Sequence, residues 1–451
     1  MSPPRPAELA GAADLAGAAV LAAVARGADQ AAATVRLSSV RQALRPPSGP
    51  LMERNALTMT IELEVVVTGR QASATADAAA DPGLLAATAV SLARTAGDQA
   101  AGGLVLSPPA VPAEPASLPV EPVSRRVILD LLDAVLARSG SGPGRAGQAA
   151  GAEVTEELLQ AGVCWHTGAR LSWHATRRRL WTWLEGPGGD LLEGGLTWGQ
   201  ELPAAELVAG RREALAGLRE RAVPFPGEST APVLFAPEVA IHFVNAFAAL
   251  FSGAAARGPD GWLPRRIGRR VASRAAALTD DARLGQGPWG SPIDAEGTPT
   301  RRATVIDHGV LTGLLHTKGT ARVAGADSAG QAVRPGPGQP VRPGPTGFRL
   351  EPGTGGLPAL RGCADNGFEA VLPVRVPWLG RDGTLRAQVL GWPLRSGERG
   401  TGPYLAEIAI GLLPMLRHLV ACGPDLLHST TFRGIAAPAM LVDGVSLRAA
   451  R

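Results

Sequence analysis

The stretch "LFAPEVAIHFVNAFAALFSG", residues 234–253, sets the tightest limit on how this chain can fold. Ile241, Phe243, Val244, Phe247, Leu250 and Phe251 put apolar side chains on most faces of a helix. A helix that is hydrophobic all round is stable only when other elements surround it. The second half of the chain must therefore build a core around this segment. His242 lies inside it, and the reading that fits an imidazole there is a core or interface residue bonded to backbone.

At 451 residues the chain exceeds one ordinary core. Two domains are expected, residues 1–227 and 228–451, divided at the Pro- and Gly-broken stretch "VPFPGEST" (223–230). Before it, the Ala-rich "LAGAAVLAAVA" (15–25) predicts a helix. In 56–76, Thr58, Thr60, Glu62 and Glu64 alternate with Met59, Ile61, Leu63 and Val65, the period of a half-buried strand, and Gly69 turns the chain into a second strand. Helical spacing returns over 83–97. A Pro-rich connection over 107–124, a helix from Arg125 and a Gly-rich loop through residue 151 follow. Strands flank Gly168, where His166 and His174 read as sheet histidines, and a charged amphipathic helix is expected over 201–222. The fold class is α+β: an N-terminal α/β domain, then a C-terminal mixed, largely antiparallel sheet packed around the buried helix.

Composition excludes several function classes. With 45% hydrophobic and 19% charged residues the chain is not broadly disordered. The net charge is +4, Lys318 is the only lysine, and the arginine pairs lie in separate segments beside acidic residues. No basic stripe interleaved with aromatics results, so no nucleic-acid partner is expected. Glu8 and Asp14 precede or interrupt the N-terminal apolar run, unlike a positive secretory leader, and no run approaches the ~20 residues of a membrane span. Cys164, Cys363 and Cys422 are scattered and odd in number, which encodes neither a disulfide framework nor a zinc knuckle and fits a reducing cytoplasm.

The richest signal is "GSPIDAEGTPTRRATVIDHGVLTGLLHTKGTARVAGADSAGQAVRPG" (290–336). Asp294, Glu296 and Gly297 predict a turn, with carboxylates accepting N–H bonds and Gly supplying φ > 0. A hairpin tipped by Asp307, His308 and Gly309 follows, then a helix begun in "TKGTARVAG" and a small-residue loop, "SAGQAV". Asp280 and Asp281 read as a surface turn. No G-x-S-x-G elbow occurs, and no Ser, His and Asp set has a recognisable context.

This run resembles the signature of the TldD/PmbA family (PmbA is also called TldE): a D-x-E-G-x-P/A-T-x-R turn, a hairpin ending in G-x-L-x-G, and an A-R-x-x-G…S-T-G loop. "VLFAPEVA", "GRRVASRAAALTDD", "LVACGPDL" and "APAMLVDGVSL" resemble other parts of the family, and coverage is good from about residue 230 onward. The resemblance implies a cytoplasmic zinc-protease system acting on peptides or unfolded polypeptide through a heterodimer. Its TldD-type chains carry H-E-x-x-x-H on the core helix and a cysteine ligand near the C-terminus; its TldE-type chains share the fold without the metal site. Zinc peptidase chemistry needs three ligands, an open position for water and a base. Laid on that pattern, the His, Glu and His positions fall on Asn245, Ala246 and Leu250, and Cys422 stands where the family has valine. The expectation is a TldE-type subunit with no cofactor of its own, zinc being held by a TldD-like partner. Asp294, Glu296, Gly297, Thr300, Arg301, Ser328 and Gly330 are candidates for lining a peptide channel, or equally for plain fold-stabilising turns. Two other readings stand beside it: a stand-alone binding or regulatory protein, and an active zinc protease in its own right.

Overall fold

Small side chains shape the N-terminal half. The computed structural model describes residues 6–46, 49–77, 80–96, 122–137, 149–185, 191–198, 221–254, 263–283, 287, 289–336, 339–375, 377–380, 383–429 and 432–450. Strands β1 (Gln30–Arg45), β2 (Met52–Val67), β3 (Arg70–Asp77), β4 (Ala149–Trp165), β5 (Arg170–Glu185) and β6 (Leu191–Trp198) form one antiparallel sheet in the order β3-β2-β1-β4-β5-β6. Helices α1 (Pro6–Ala25) and α2 (Pro82–Thr95) cover one face, burying Ala16, Ala19 and Ala23 against Ala33, Val35, Leu63 and Val65. Alanine and glycine let helix and sheet approach closely: a Cβ on Gly162 would stand 3.2 Å from the Ala13 nitrogen. Asp81 caps α2 by accepting from the Gly83 N–H, with Pro82 at the first helical position. Helix α3 (Arg125–Ala137) covers the far end of the same face through Ile128, Leu132 and Val135.

The alternation expected in 56–76 is present, but its strand begins at Met52, and β4 begins at Ala149, inside the stretch expected to be loop. Central strand β1 was not foreseen. Its buried positions Ala31, Ala33, Val35 and Leu37 are mostly small, so the period-2 signal is weak although the burial pattern is strict. The Pro-rich connection, the Gly-rich loop and the charged helix expected over 201–222 fall almost wholly outside the described residues.

In the second half, strands Phe368–Pro373, Glu228–Phe235, Met440–Ala449, Tyr404–Gly411 and Thr384–Arg395 pair in that order. Thr384–Arg395 also pairs back with Phe368–Pro373, so the five close into a ring. A second mixed sheet contains Val310–Leu311, Ala303–Asp307, Leu278–Asp280, Phe348–Leu350, Ile435–Ala437 and Leu427–His428. Between them lies helix α4 (Pro237–Leu250), whose Phe243 and Phe247, with Phe251 just beyond its end, are fully buried beside Phe235, Phe348 and Phe368. The apolar sequence and the central position agree, and the α+β class holds in both halves. In the expected hairpin, His308 (φ 42°) and Gly309 (φ 85°) make a tight two-residue turn. A Cβ on Gly309 would stand 2.4 Å from the Ala272 and Ser273 carbonyl oxygens, so only glycine fits there. Among the described residues no helix is long and apolar enough to cross a membrane.

Candidate functional site at the junction of the two halves

Asn245, Ala246 and Leu250 sit half-buried on the last two turns of α4. A carboxamide is a poor zinc donor, and methyl and isobutyl groups have no lone pair, so these three positions do not make a zinc site. Among the described residues no group of three His, Cys, Asp or Glu side chains gathers at metal-holding distance. His242 departs from its expected backbone bond: no hydrogen bond to it occurs among the described residues. Its ring instead meets Phe432 edge to face at 5.2 Å, and burial pushes its pKa down to about 4, so it is neutral at pH 7. Cys422 is buried, and burial pushes its thiol up to about 12.

The candidate channel residues divide by geometry. Asp294 accepts N–H bonds from Glu296 (2.9 Å), Thr298 (2.8 Å) and Ala332 (3.0 Å), so its buried carboxylate ties the turn to the small-residue loop. Gly297 (φ 72°) lies against Trp165, where a Cβ would come within 3.0 Å of the indole. Gly330 (φ 85°) lies against Pro299 and Thr300, leaving 2.8 Å between a Cβ and the Thr300 Cα. Thr300 donates to the Ser291 carbonyl, Ser328 to the His316 carbonyl at 2.9 Å, and exposed Arg301 to the Ser328 carbonyl at 3.2 Å. Turn and loop are thus brought together and clamp each other.

Outward from this clamp runs a polar layer between the halves. The face of the N-terminal sheet opposite its helices carries Trp165, Val163 and Ala161, which pack on Ile293. Beside them the same face presents Glu62 and Glu64 from β2 and Arg36 from β1. Arg334 of the C-terminal half pairs with both Glu62 and Glu64, and Arg36 with Glu62 at 3.1 Å. Lys318 donates its backbone N–H to Glu296 (2.7 Å) and its ammonium to the Glu296 carbonyl (2.9 Å). Burial outweighs these partners. It lifts the Glu64 carboxyl to about 8 and Glu296 to about 7, and depresses the Lys318 ammonium.

At the other end the junction opens into a shallow cleft lined by Asp281, Trp289, Thr346, Arg349, His428 and Ile435 among others. Sequence reasoning placed Asp280 and Asp281 on a surface turn; both are buried instead. Asp280 ends a strand and accepts from Thr346 and Gly347, while Asp281 pairs with Arg283 (2.7 Å). The apolar run "AAAL" ahead of them was the signal that the chain was still inside the core. Arg349 pairs with Glu351 (3.2 Å) and sits 3.8 Å from Asp281. Burial and the Arg349 charge depress the His428 pKa. Toward the N-terminal sheet, the Trp289 ring faces two guanidiniums, Arg177 at 4.8 Å and Arg433 at 5.4 Å. Neither Trp289 nor Arg433 stood out in the sequence.

Residues 228–449 match the family model for the PmbA/TldA metallopeptidase C-terminal domain. The metalloprotease PmbA of Escherichia coli O157:H7 is 30% identical over 102 residues, 23% of each chain. The metalloprotease PmbA homolog of Haemophilus influenzae is 27% identical over 101 residues, 22% of each. The alignable stretch thus spans less than a quarter of these curated relatives. The crystal structure of TldE from Thermococcus kodakarensis superposes with a TM-score of 0.82 at 16% identity, covering 95% of this chain and 98% of that one, which establishes the shared fold.

Proposed function

The chain belongs to the PmbA/TldD family, and from that premise we propose that it is a TldE-type subunit that pairs with a zinc-carrying TldD-type chain in a peptide-cleaving heterodimer. In this role it holds no metal and performs no hydrolysis. It completes the channel in which an extended polypeptide is presented to the partner's zinc. What supports the reading is α4: the helix is buried at the centre of its half, and the sequence resemblance lays Asn245, Ala246 and Leu250 on the positions of two ligands and a base.

The junction between the halves is the proposed channel wall. Main-chain hydrogen bonding along sheet edges would hold substrate without regard to sequence. Asp294 and Gly330 then serve as scaffolding, since their contacts are internal, and Arg301 is the candidate of that set that faces solvent.

Co-expression with a TldD-like chain bearing H-E-x-x-x-H, followed by size-exclusion chromatography and peptide cleavage assays, tests the proposal. The expected result is co-elution and activity that requires both chains. Full activity of the TldD-like chain alone, or separate elution, would overturn it.

A further inference from the structure

Arg433 differs from the other arginines around the cleft. Arg36 has Glu62, Arg177 has Glu157 at 3.0 Å, Arg349 has Glu351, and Arg283 has Asp281. Among the described residues, Arg433 has neither a carboxylate nor a carbonyl partner; its one contact is the Trp289 ring. The side chain is exposed to water at the edge of the cleft, while partial desolvation by its neighbours and the like charges of Arg177 and Arg36 push its pKa down to about 10. Trp289 adds a second unmatched donor: its Nε1 is buried without a hydrogen-bond partner among the described residues. The buried indole N–H is costly unless an acceptor arrives, and the guanidinium beside it supplies the charge that would draw an anionic one.

The backbone that presents Arg433 is fixed on both sides. The Phe432 ring packs on His242, its N–H donates to Ser429 Oγ at 2.7 Å, and the Gly434 carbonyl accepts from Phe348 at 2.7 Å. The charge nearby also sets the ligand class. Arg177 and Arg36 each have a carboxylate at ion-pair distance and Arg433 has none among the described residues, which leaves one positive charge to be matched. That suits a monoanionic carboxylate better than a dianionic phosphate, which would need a second uncompensated cation.

We propose that Arg433, stacked on Trp289, is a specificity-determining residue that binds a carboxylate of the peptide in the cleft, either its C-terminal carboxylate or an acidic side chain. This rests on the reading of the junction as a peptide channel and goes beyond it by fixing one end of the substrate.

Fluorescence anisotropy on the full-length chain tests it, using an N-terminally labelled, otherwise uncharged octapeptide. Three forms are compared: free C-terminal carboxylate, C-terminal amide, and amide with one internal Gln replaced by Glu. The free acid should bind about tenfold more tightly than the amide. Arg433→Gln should erase that preference while leaving amide binding unchanged, and Arg433→Lys should keep part of it. Recovery of tight binding by the Glu-containing amide would identify the side chain as a source of the carboxylate; no recovery would identify the chain end. Equal binding of all three forms to the unmodified chain would overturn the inference and leave the channel reading standing. Binding of none, in the presence of the TldD-like partner as well, would overturn both. A circular-dichroism melt of Arg433→Gln matching the parent shows that any lost preference is not unfolding.

Discussion

Arg334 and Arg433 both reach into the junction between the halves, and they differ in what surrounds them. Arg334 enters a closed region where Glu62 and Glu64 of β2 take its guanidinium. Arg433 enters an open region where its nearest charged neighbours include two more arginines and its closest contact is an indole face. At the closed end, opposite charges from both halves meet and hold them in register. At the open end, like charges and an unpaired N–H leave an unmet demand for an anion. Charge at the junction thus sorts by whether it is already answered from within the protein.

If that division is right, the same kind of substitution should give opposite results at the two ends. Arg334→Leu leaves Glu62 and Glu64 facing each other without their shared cation and should cost about 3 kcal/mol of unfolding free energy by urea titration. Arg433→Leu should change stability by no more than about 0.5 kcal/mol, because it removes no partnered charge. Comparable losses for both would dissolve the distinction.

The clamp beside the closed end provides the next effect in size. Gly330→Ala must accept φ 85° and a 2.8 Å approach to the Thr300 Cα, at a cost of about 1–3 kcal/mol. Thermal melts of this variant should fall clearly, whereas Gly383→Ala, at φ 73° with open space around its Cβ, should fall less.

The pH dependence of stability is a more specific test. Glu64 ionises near 4.5 in the unfolded chain and near 8 in the fold, where burial outweighs Arg334. Between those values the folded state holds a proton that the unfolded state has released. Stability is therefore greatest below about 4.5 for this group, falls as pH rises toward about 8, and levels off beyond. Glu296, raised to about 7, tilts the curve the same way. Urea midpoints of Glu64→Gln at about pH 5 and pH 8.5 should differ less than those of the parent. An unchanged slope would place the proton elsewhere. Smallest of all, His242→Leu should shift stability by about 1 kcal/mol or less, since a neutral ring packed on Phe432 is close in size to an aliphatic side chain.

What could be read from the sequence depended on how far apart the interacting residues lie. Local signals were legible: the all-apolar helix at 237–250, the alternation in β2, the positive-φ turn at His308–Gly309 and the Asp294 turn all depend on neighbours within a few positions. Strand β1 escaped because alanines take three of its buried positions, Ala31, Ala33 and Ala43, and weaken the alternation. Asp280 and Asp281 were misplaced because their partners, Thr346, Gly347 and Arg349, are about seventy residues on. The open end of the junction was illegible for the same reason. Arg36, Arg177, Trp289 and Arg433 come from four distant segments, and no spacing rule links them. The assignment of Asn245, Ala246 and Leu250 to ligand and base positions rests only on resemblance to a family motif, since they carry no signal of their own.

The central claim, that this helix keeps its place in the core without the metal chemistry, is tested most directly by elemental analysis of the purified full-length chain. The account predicts no stoichiometric zinc and no peptide hydrolysis by the chain alone, with both appearing only when a TldD-type partner is added. One zinc per chain in the isolated protein, accompanied by hydrolysis, would contradict it.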